Sequence, residues 1–215
     1  MKPMRKVKIA WSPKFAYAIG LLATDGCLSK DGYHFDITSK DKKQLENVLK
    51  CLGIHNKIGK KTSGSNRKKY YRIQFGDVVF YRFLLGIGLT PAKSKTIHEI
   101  DIPNKYFFDF LRGSFDGDGC FYSYYDPRWK SSFMFYTVFV SQSRKHIEWV
   151  RVCLKKFLNI KGHINYGGRG TPQLKYAKKE SLSILRKMYY SPDVVCLKRK
   201  RLKVKRALAI IGVKL

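Results

Sequence analysis

The feature that most constrains this chain of 215 residues is that its sequence plan occurs twice. The segment AYAIGLLATDGCL at 16–28 matches DFLRGSFDGDGCF at 109–121 position for position, pairing Phe15 with Phe108, Gly20 with Gly113, Asp25 with Asp118, Gly26 with Gly119 and Cys27 with Cys120. Downstream, SKDKKQLENVLKCL from 39 resembles SQSRKHIEWVRVCL from 141, and IQFGDVVFYRFLLGIGLTP ending at Pro91 matches LKYAKKESLSILRKMYYSP ending at Pro192. The second copy is nine residues longer between its acidic motif and the next helix. A tandem duplication over most of a chain predicts two similar units, 11–100 and 101–215, related by pseudo-symmetry.

Within each copy the order of signals is the same. A helix opens the first copy, with Ser12 as N-cap and Pro13 at its first position, and Pro103 opens the second. A strand pair near 28–39 precedes a helix with Leu45, Val48, Leu49 and Leu52 at helical spacing, which become Ile147, Val150, Leu154 and Phe157 in the second copy. Second strand pairs are expected near 57–76 and 162–176. In YYRIQF, alternation puts Tyr71, Ile73 and Phe75 on one face and Tyr70, Arg72 and Gln74 on the other. A third helix closes each half. The fold class is α+β: two αββαββα repeats, their opening helices packed at the centre, with helices on one face of each antiparallel sheet and the other face open to a ligand.

Composition narrows what that ligand is. The chain has 44 Lys and Arg against 15 Asp and Glu, a formal charge of +29, yet 44% of its residues are hydrophobic and 14% aromatic. It buries a core and carries its charge on a folded surface, which points to a polyanion, nucleic acid or an anionic membrane. Five cysteines (Cys27, Cys51, Cys120, Cys153, Cys196) form no CxxC pair, and the five histidines show no ligand spacing. A disulfide framework and a zinc site are therefore not expected, and an intracellular, reducing location is. No apolar stretch approaches the ~18 residues of a membrane span, and the N-terminus lacks the apolar region of a signal peptide.

The opening helices carry the chemistry. Each is apolar almost all round and has Gly with a small residue four positions on, Gly20 with Thr24 and Gly113 with Gly117, which lets two helix backbones approach closely. Each ends in Asp-Gly, so side-by-side packing brings Asp25 and Asp118 to the same end of the interface. Two carboxylates at about 6 Å repel by ~3 kcal/mol at an effective dielectric near 20, an arrangement that asks for a divalent cation. Hard oxygen ligands favour Mg²⁺ or Ca²⁺ over zinc, and a site beside a basic surface suits phosphodiester hydrolysis.

AIGLLATDG at 18–26 and LRGSFDGDG at 111–119 resemble the two signature motifs of monomeric LAGLIDADG homing endonucleases, and the flanking GLTPAKSKTI and IPNKYFFDFLRG extend the resemblance over nearly the whole chain. It departs at Ala23, where the earlier acidic residue usually stands; the second copy keeps Asp116. The resemblance implies a saddle of antiparallel strands over the DNA major groove, with Asp25 and Asp118 placed at the minor groove to cut both strands. It also implies Mg²⁺, replaceable by Ca²⁺ or Mn²⁺, completed by the backbone carbonyls of Thr24 and Gly117. Lys40 and Gln142 at strand ends, with Lys95 and Lys198 beyond the third helices, take the place of the residues that order the attacking water. Lys93 and Lys200 are near enough in sequence to replace the last two.

Expected DNA contacts follow the basic residues of the strands and turns: Lys61, Arg67, Lys69, Arg72 and Gln74 in the first copy, and Arg128, Lys130, Arg169 and Lys175 in the second. Arg and Gln pair bidentately with guanine and adenine edges, whereas most lysines contact phosphate. KRKRLKVKR at 198–206 reads as a solvated helix face or a general polyanion-binding segment. The leading function is thus a metal-dependent, sequence-specific duplex-DNA endonuclease of the homing type, acting as a monomer. The rivals are a non-cleaving relative, an intron-RNA maturase or DNA-binding regulator, and a structural basic protein.

Overall fold

The computed structural model describes residues 5–63 and 66–215, with the side chains at 62, 63, 66–69, 130 and 169 outside the described set. The first repeat runs α1 (Pro13–Asp25), β1 (Gly26–Leu28), β2 (His34–Ser39), α2 (Lys42–Leu52), β3 (Gly59–Ser63), β4 (Asn66–Gly76) and α3 (Val78–Gly86). The second runs α4 (Phe107–Gly117), β5 (Cys120–Asp126), β6 (Trp129–Val140), α5 (Arg144–Leu158), β7 (His163–Tyr166), β8 (Pro172–Tyr176) and α6 (Lys178–Met188), followed by α7 (Lys198–Ile210). Each repeat has one four-stranded antiparallel sheet, ordered β1-β2-β4-β3 and β5-β6-β8-β7.

Local sequence explains the boundaries. The Ser12 hydroxyl accepts from Phe15 N and Pro13 follows it, as expected of a helix start. α4 begins four residues after Pro103, through a short 3-10 turn at Asn104–Tyr106. α2 starts at its Asp41 cap and stops at Gly53, whose φ of 66° is left-handed. The nine extra residues of the second copy lengthen the β5–β6 hairpin beyond its β1–β2 counterpart.

Two apolar cores meet at the pair of central helices. The first gathers α1, the inward faces of β2 and β4 (Phe35, Ile37, Ile73, Phe75) and Leu45, Val48 and Leu52 of α2. The second gathers Leu111 and Phe115 of α4, Phe135 and Phe139 of β6, and Ile147, Val150 and Leu154 of α5. Phe110 of α4 belongs to the first core, and Trp149 packs against both. α1 is buried from Phe15 through Ala23 because core lies on one side of it and α4 on the other. The C-terminal basic run lies within α7, while Val204, Ala207 and Leu208 dock that helix on the second core.

Candidate active site

Crossing of the central helices builds the site. A Cβ at Gly20 would run into the Phe110 carbonyl, and one at Gly113 into the Tyr17 carbonyl, so glycine at both positions lets α1 and α4 touch backbone to backbone. One turn on, Gly117 faces Thr24 and the Asp25 carboxylate. Asp25 ends α1 and Asp118 caps α4, so both signature acids arrive at one end of the crossing.

Their electrostatics record that proximity. Burial raises the pKa of Asp25 and the charge of Asp118 raises it further, against hydrogen bonding from Gln44 and the positive charge of Lys200. Burial also raises Asp118, opposed by Lys200 and Lys93. Gln44 is fixed at both ends: its carbonyl accepts from Ser39 Oγ at 2.9 Å, leaving Nε2 to donate to Asp25 Oδ2. The Thr24 hydroxyl lies 3.4 Å from the same oxygen.

Two lysines flank the acids, and they are Lys93 and Lys200. Lys93 is buried and donates to the Gly26 carbonyl. Lys200 Nζ donates to the carbonyls of Phe115 (2.6 Å), Gly119 (2.7 Å) and Gly117 (3.3 Å). Burial lowers both lysine pKa values, and the neighbouring carboxylates act in the other direction. Lys95 and Lys198, expected beside the acids, are exposed. For Lys198 the reason is helical phase: Lys200 precedes buried Val204 by four residues and Leu208 by eight, while Lys198 falls on another face.

The corresponding second-half positions differ. Gln44 aligns with His146, which shares a small recess with Thr24, Ser114, Asp118, Phe139 and Ser141. His146 Nδ1 donates to the His98 carbonyl at 2.6 Å, so Nε2 is left as the acceptor. Burial lowers its pKa to about 4. Asp116, where the first copy has Ala23, accepts from Tyr17 Oη at 2.8 Å and Leu197 N at 2.6 Å, while its Oδ1 has no partner. Burial raises its pKa to about 6; it ties α1, α4 and the start of α7 together. Lys40 is exposed with its ammonium 5.5 Å from the Tyr70 ring centre, and exposed Gln142 donates to Thr171 Oγ1 at 3.0 Å. Neither contacts a signature acid.

On the outer face of the first sheet, Arg72 pairs with Asp36 across β2 and β4, Gln74 stands opposite Asp36, and Lys61 is exposed on β3. Asn56, Lys57, Lys60, Lys61, Arg72 and Gln74 line one groove there. In the second half, Lys175 Nζ lies 5.7 Å from the Tyr122 ring centre. Arg128, at the hairpin turn, is bound through two guanidinium nitrogens to Asp126 at 2.9 and 3.1 Å. Side chains of Arg67, Lys69, Lys130 and Arg169 lie outside the described set.

Comparison with known proteins places this geometry. Residues 12–88 match the family described as LAGLIDADG-like domain. The chain has the two-repeat LAGLIDADG fold. The homing endonuclease I-WcaI bound to its DNA recognition sequence superposes with a TM-score of 0.64 at 13% identity, covering 92% of this chain and 88% of that one. Meganuclease I-SmaMI, bound to uncleaveable DNA with a TTGT central four, gives 0.60 at 14% identity, covering 96% and 92%. Full-length DUF199/WhiA from Thermatoga maritima gives 0.58 at 16% identity; it covers 97% of this chain, which spans 64% of the WhiA length. No curated protein sequence matches the chain. Thus α1 and α4 are the LAGLIDADG helices, and no helix among the described residues is long and apolar enough to cross a membrane.

Proposed function

We propose that this LAGLIDADG-fold protein is a metal-dependent, sequence-specific endonuclease of the homing type that hydrolyses both strands of duplex DNA as a monomer. The observation that carries the reading is the carboxylate pair Asp25 and Asp118, held at one end of the helix crossing beneath two open sheet faces. A pure binding surface has no use for two acids that raise each other's burial cost while facing a phosphate backbone.

The donor chemistry fits a hard divalent cation. Among the described residues no cluster of three or more His, Cys, Asp or Glu exists, so the donors on hand are two carboxylates and nearby carbonyls, which suit Mg²⁺. Asp25 and Asp118, with the carbonyls of Thr24 and Gly117, would hold it. When bound, the cation supplies an acidified water and neutralises charge collecting on the phosphate.

The chain's own residues do the rest. Gln44 and Thr24 orient the Asp25 carboxylate, while the mutual repulsion of the acids stores an attraction for any cation that enters. Lys93 and Lys200, locked onto backbone carbonyls, keep positive charge beside the scissile phosphate without closing the site. Lys40 and Gln142 at the ends of β2 and β6 take the role of ordering water on the two strands. The observation that favours binding without cleavage is Lys200, whose ammonium already engages the Gly117 carbonyl.

Incubation with a randomised duplex library and Mg²⁺, followed by sequencing of cut ends, decides between these readings. Cleavage at a defined site is expected, falling at least ~100-fold (about 2.7 kcal/mol) in Asp25→Asn and in Asp118→Asn with affinity retained. Undiminished cleavage in either variant removes the mechanism. Binding without cleavage in the unaltered protein leaves the regulator reading.

A further inference from the structure

The outer faces of the two sheets are chemically unlike. On the second, Tyr122 stands opposite Tyr136 and Tyr124 opposite Met134, with Cys120, Val138 and Lys175 in the next row and Val140 with Gln173 beyond it. The three tyrosine rings are nearly parallel, 8° to 18° apart, with centres 5.2 to 6.4 Å from one another. Asp126 is the one acid in these four strands, and Arg128 neutralises it. The β5–β6 half of this face is therefore tyrosine-rich and apolar, the β7–β8 half shows His163, Asn165, Gln173 and Lys175, and no acid stands unpaired on these strands among the described residues.

Ring geometry limits how such a surface meets nucleic acid. The three tyrosine rings stand nearly parallel and offset beside one another, and Lys175 lies over Tyr122, so they form one aromatic block on the sheet. Tyr124 is exposed, and Tyr122, Met134, Tyr136 and Val140 are half-buried around it. In the major groove of a duplex, thymine alone presents a methyl group; the other bases present donors and acceptors that would lose water against Met134 or Val140 without gaining a partner.

Building on the duplex-DNA reading, we infer that the second repeat selects a thymine-rich half-site, reading C5-methyl groups in the major groove through Tyr122, Tyr124, Met134, Tyr136 and Val140. The first repeat, with Arg72, Gln74 and Asp36, reads polar base edges.

The decisive measurement alters only the DNA. A binding site is selected from random duplexes in Ca²⁺, and its halves are assigned by a parallel selection with Arg72→Ala, which relaxes preference in the first repeat's half. Uracil then replaces thymine in one half at a time, removing only the methyl. Affinity should fall roughly fourfold per contacted methyl in the second half, the worth of about one buried methylene each, and return where 5-methylcytosine paired with guanine restores a methyl at such a position. A second half poor in thymine, no response to uracil there, or equal losses in both halves overturns the inference while duplex binding stands. Failure to select any duplex site overturns the duplex reading and the inference with it.

Discussion

At matched positions the outward face of the first sheet has Asp36, Thr38, Arg72 and Gln74, and that of the second has Val138, which is buried, with Val140, Gln173 and Lys175. Inward, the same strands show Ile37, Ile73 and Phe75 against Phe139, Leu174 and Tyr176, all buried. A duplicated backbone kept its inside because each core position must fill volume next to the shared helix pair. Outward positions carry no such demand, and the two faces differ most where β2 has Asp36 and Thr38 and β6 has Val138 and Val140. The same contrast reaches the acids, where Gln44 holds Asp25 and neutral His146 lies in the recess beside Asp118.

The strongest way to break the comparison is to attack what the halves share. Gly113→Val drives a side chain into the Tyr17 backbone, which no rotamer relieves, and should lower unfolding stability by at least about 4 kcal/mol in urea denaturation. Gly20→Val should do the same from the other side, whereas Gly59→Ala, with only the Arg72 carbonyl at 3.9 Å, should cost no more than about 1 kcal/mol. Mild and unequal losses for the two central glycines would mean that the helices do not cross where described.

His146 tests the difference between the halves by pH. Its folded pKa of about 4 lies below the ordinary value of 6.5, so the unfolded chain binds more protons between those values. Its contribution is whole above pH 6.5 and is lost as pH falls toward 4, an effect of up to about 3 kcal/mol. Asp116, raised to about 6, works in the opposite direction over pH 6 to 3.8. Denaturation of His146→Gln at pH 7 and pH 4.5 should show a smaller acid-induced loss than the unaltered protein; an identical loss would show that the imidazole is not buried neutral.

The repeat, both sheets and the acid pair were legible because they are written as spacing, which survives when side chains change. The lysines were not, since KRKRLKVKR offers a cation at nearly every step and only the phase set by Val204, Ala207 and Leu208 turns Lys200 inward. That phase is itself in the sequence, four and eight residues on from Lys200. Gln44 and Asn47 could also have been found: both are polar residues buried beside Leu45 and Val48 on the core face of α2. Lys93 had no such signal, because the turn that buries it is not a helix and follows Ala92 at a left-handed φ of 54°.

Gln44→Ala sharpens the asymmetry at the acids. Asp25 then loses its anchored donor while Asp118 keeps all of its neighbours, so one nick should slow about tenfold (about 1.4 kcal/mol) relative to the other, and nicked circles should accumulate from a supercoiled substrate. Equal slowing of both strands would mean that the two acids act as a single unit with no strand of their own.

The smallest expected effect separates free from spent charge on the two sheets. Lys61 is exposed on β3, whereas Arg128 at the tip of the β5–β6 hairpin is neutralised by its own neighbour Asp126. Each phosphate neutralised contributes about 0.9 to the slope of log affinity against log salt. Lys61→Ala should therefore reduce that slope by about 0.9 for every duplex tested, without altering base preference. Replacing Asp126 and Arg128 together by serine should leave the slope where it was, because no net charge is removed. A slope change in the double variant as large as that of Lys61→Ala would show that Arg128 leaves Asp126 for phosphate when DNA binds, and the aromatic half would then hold the backbone as firmly as the polar one.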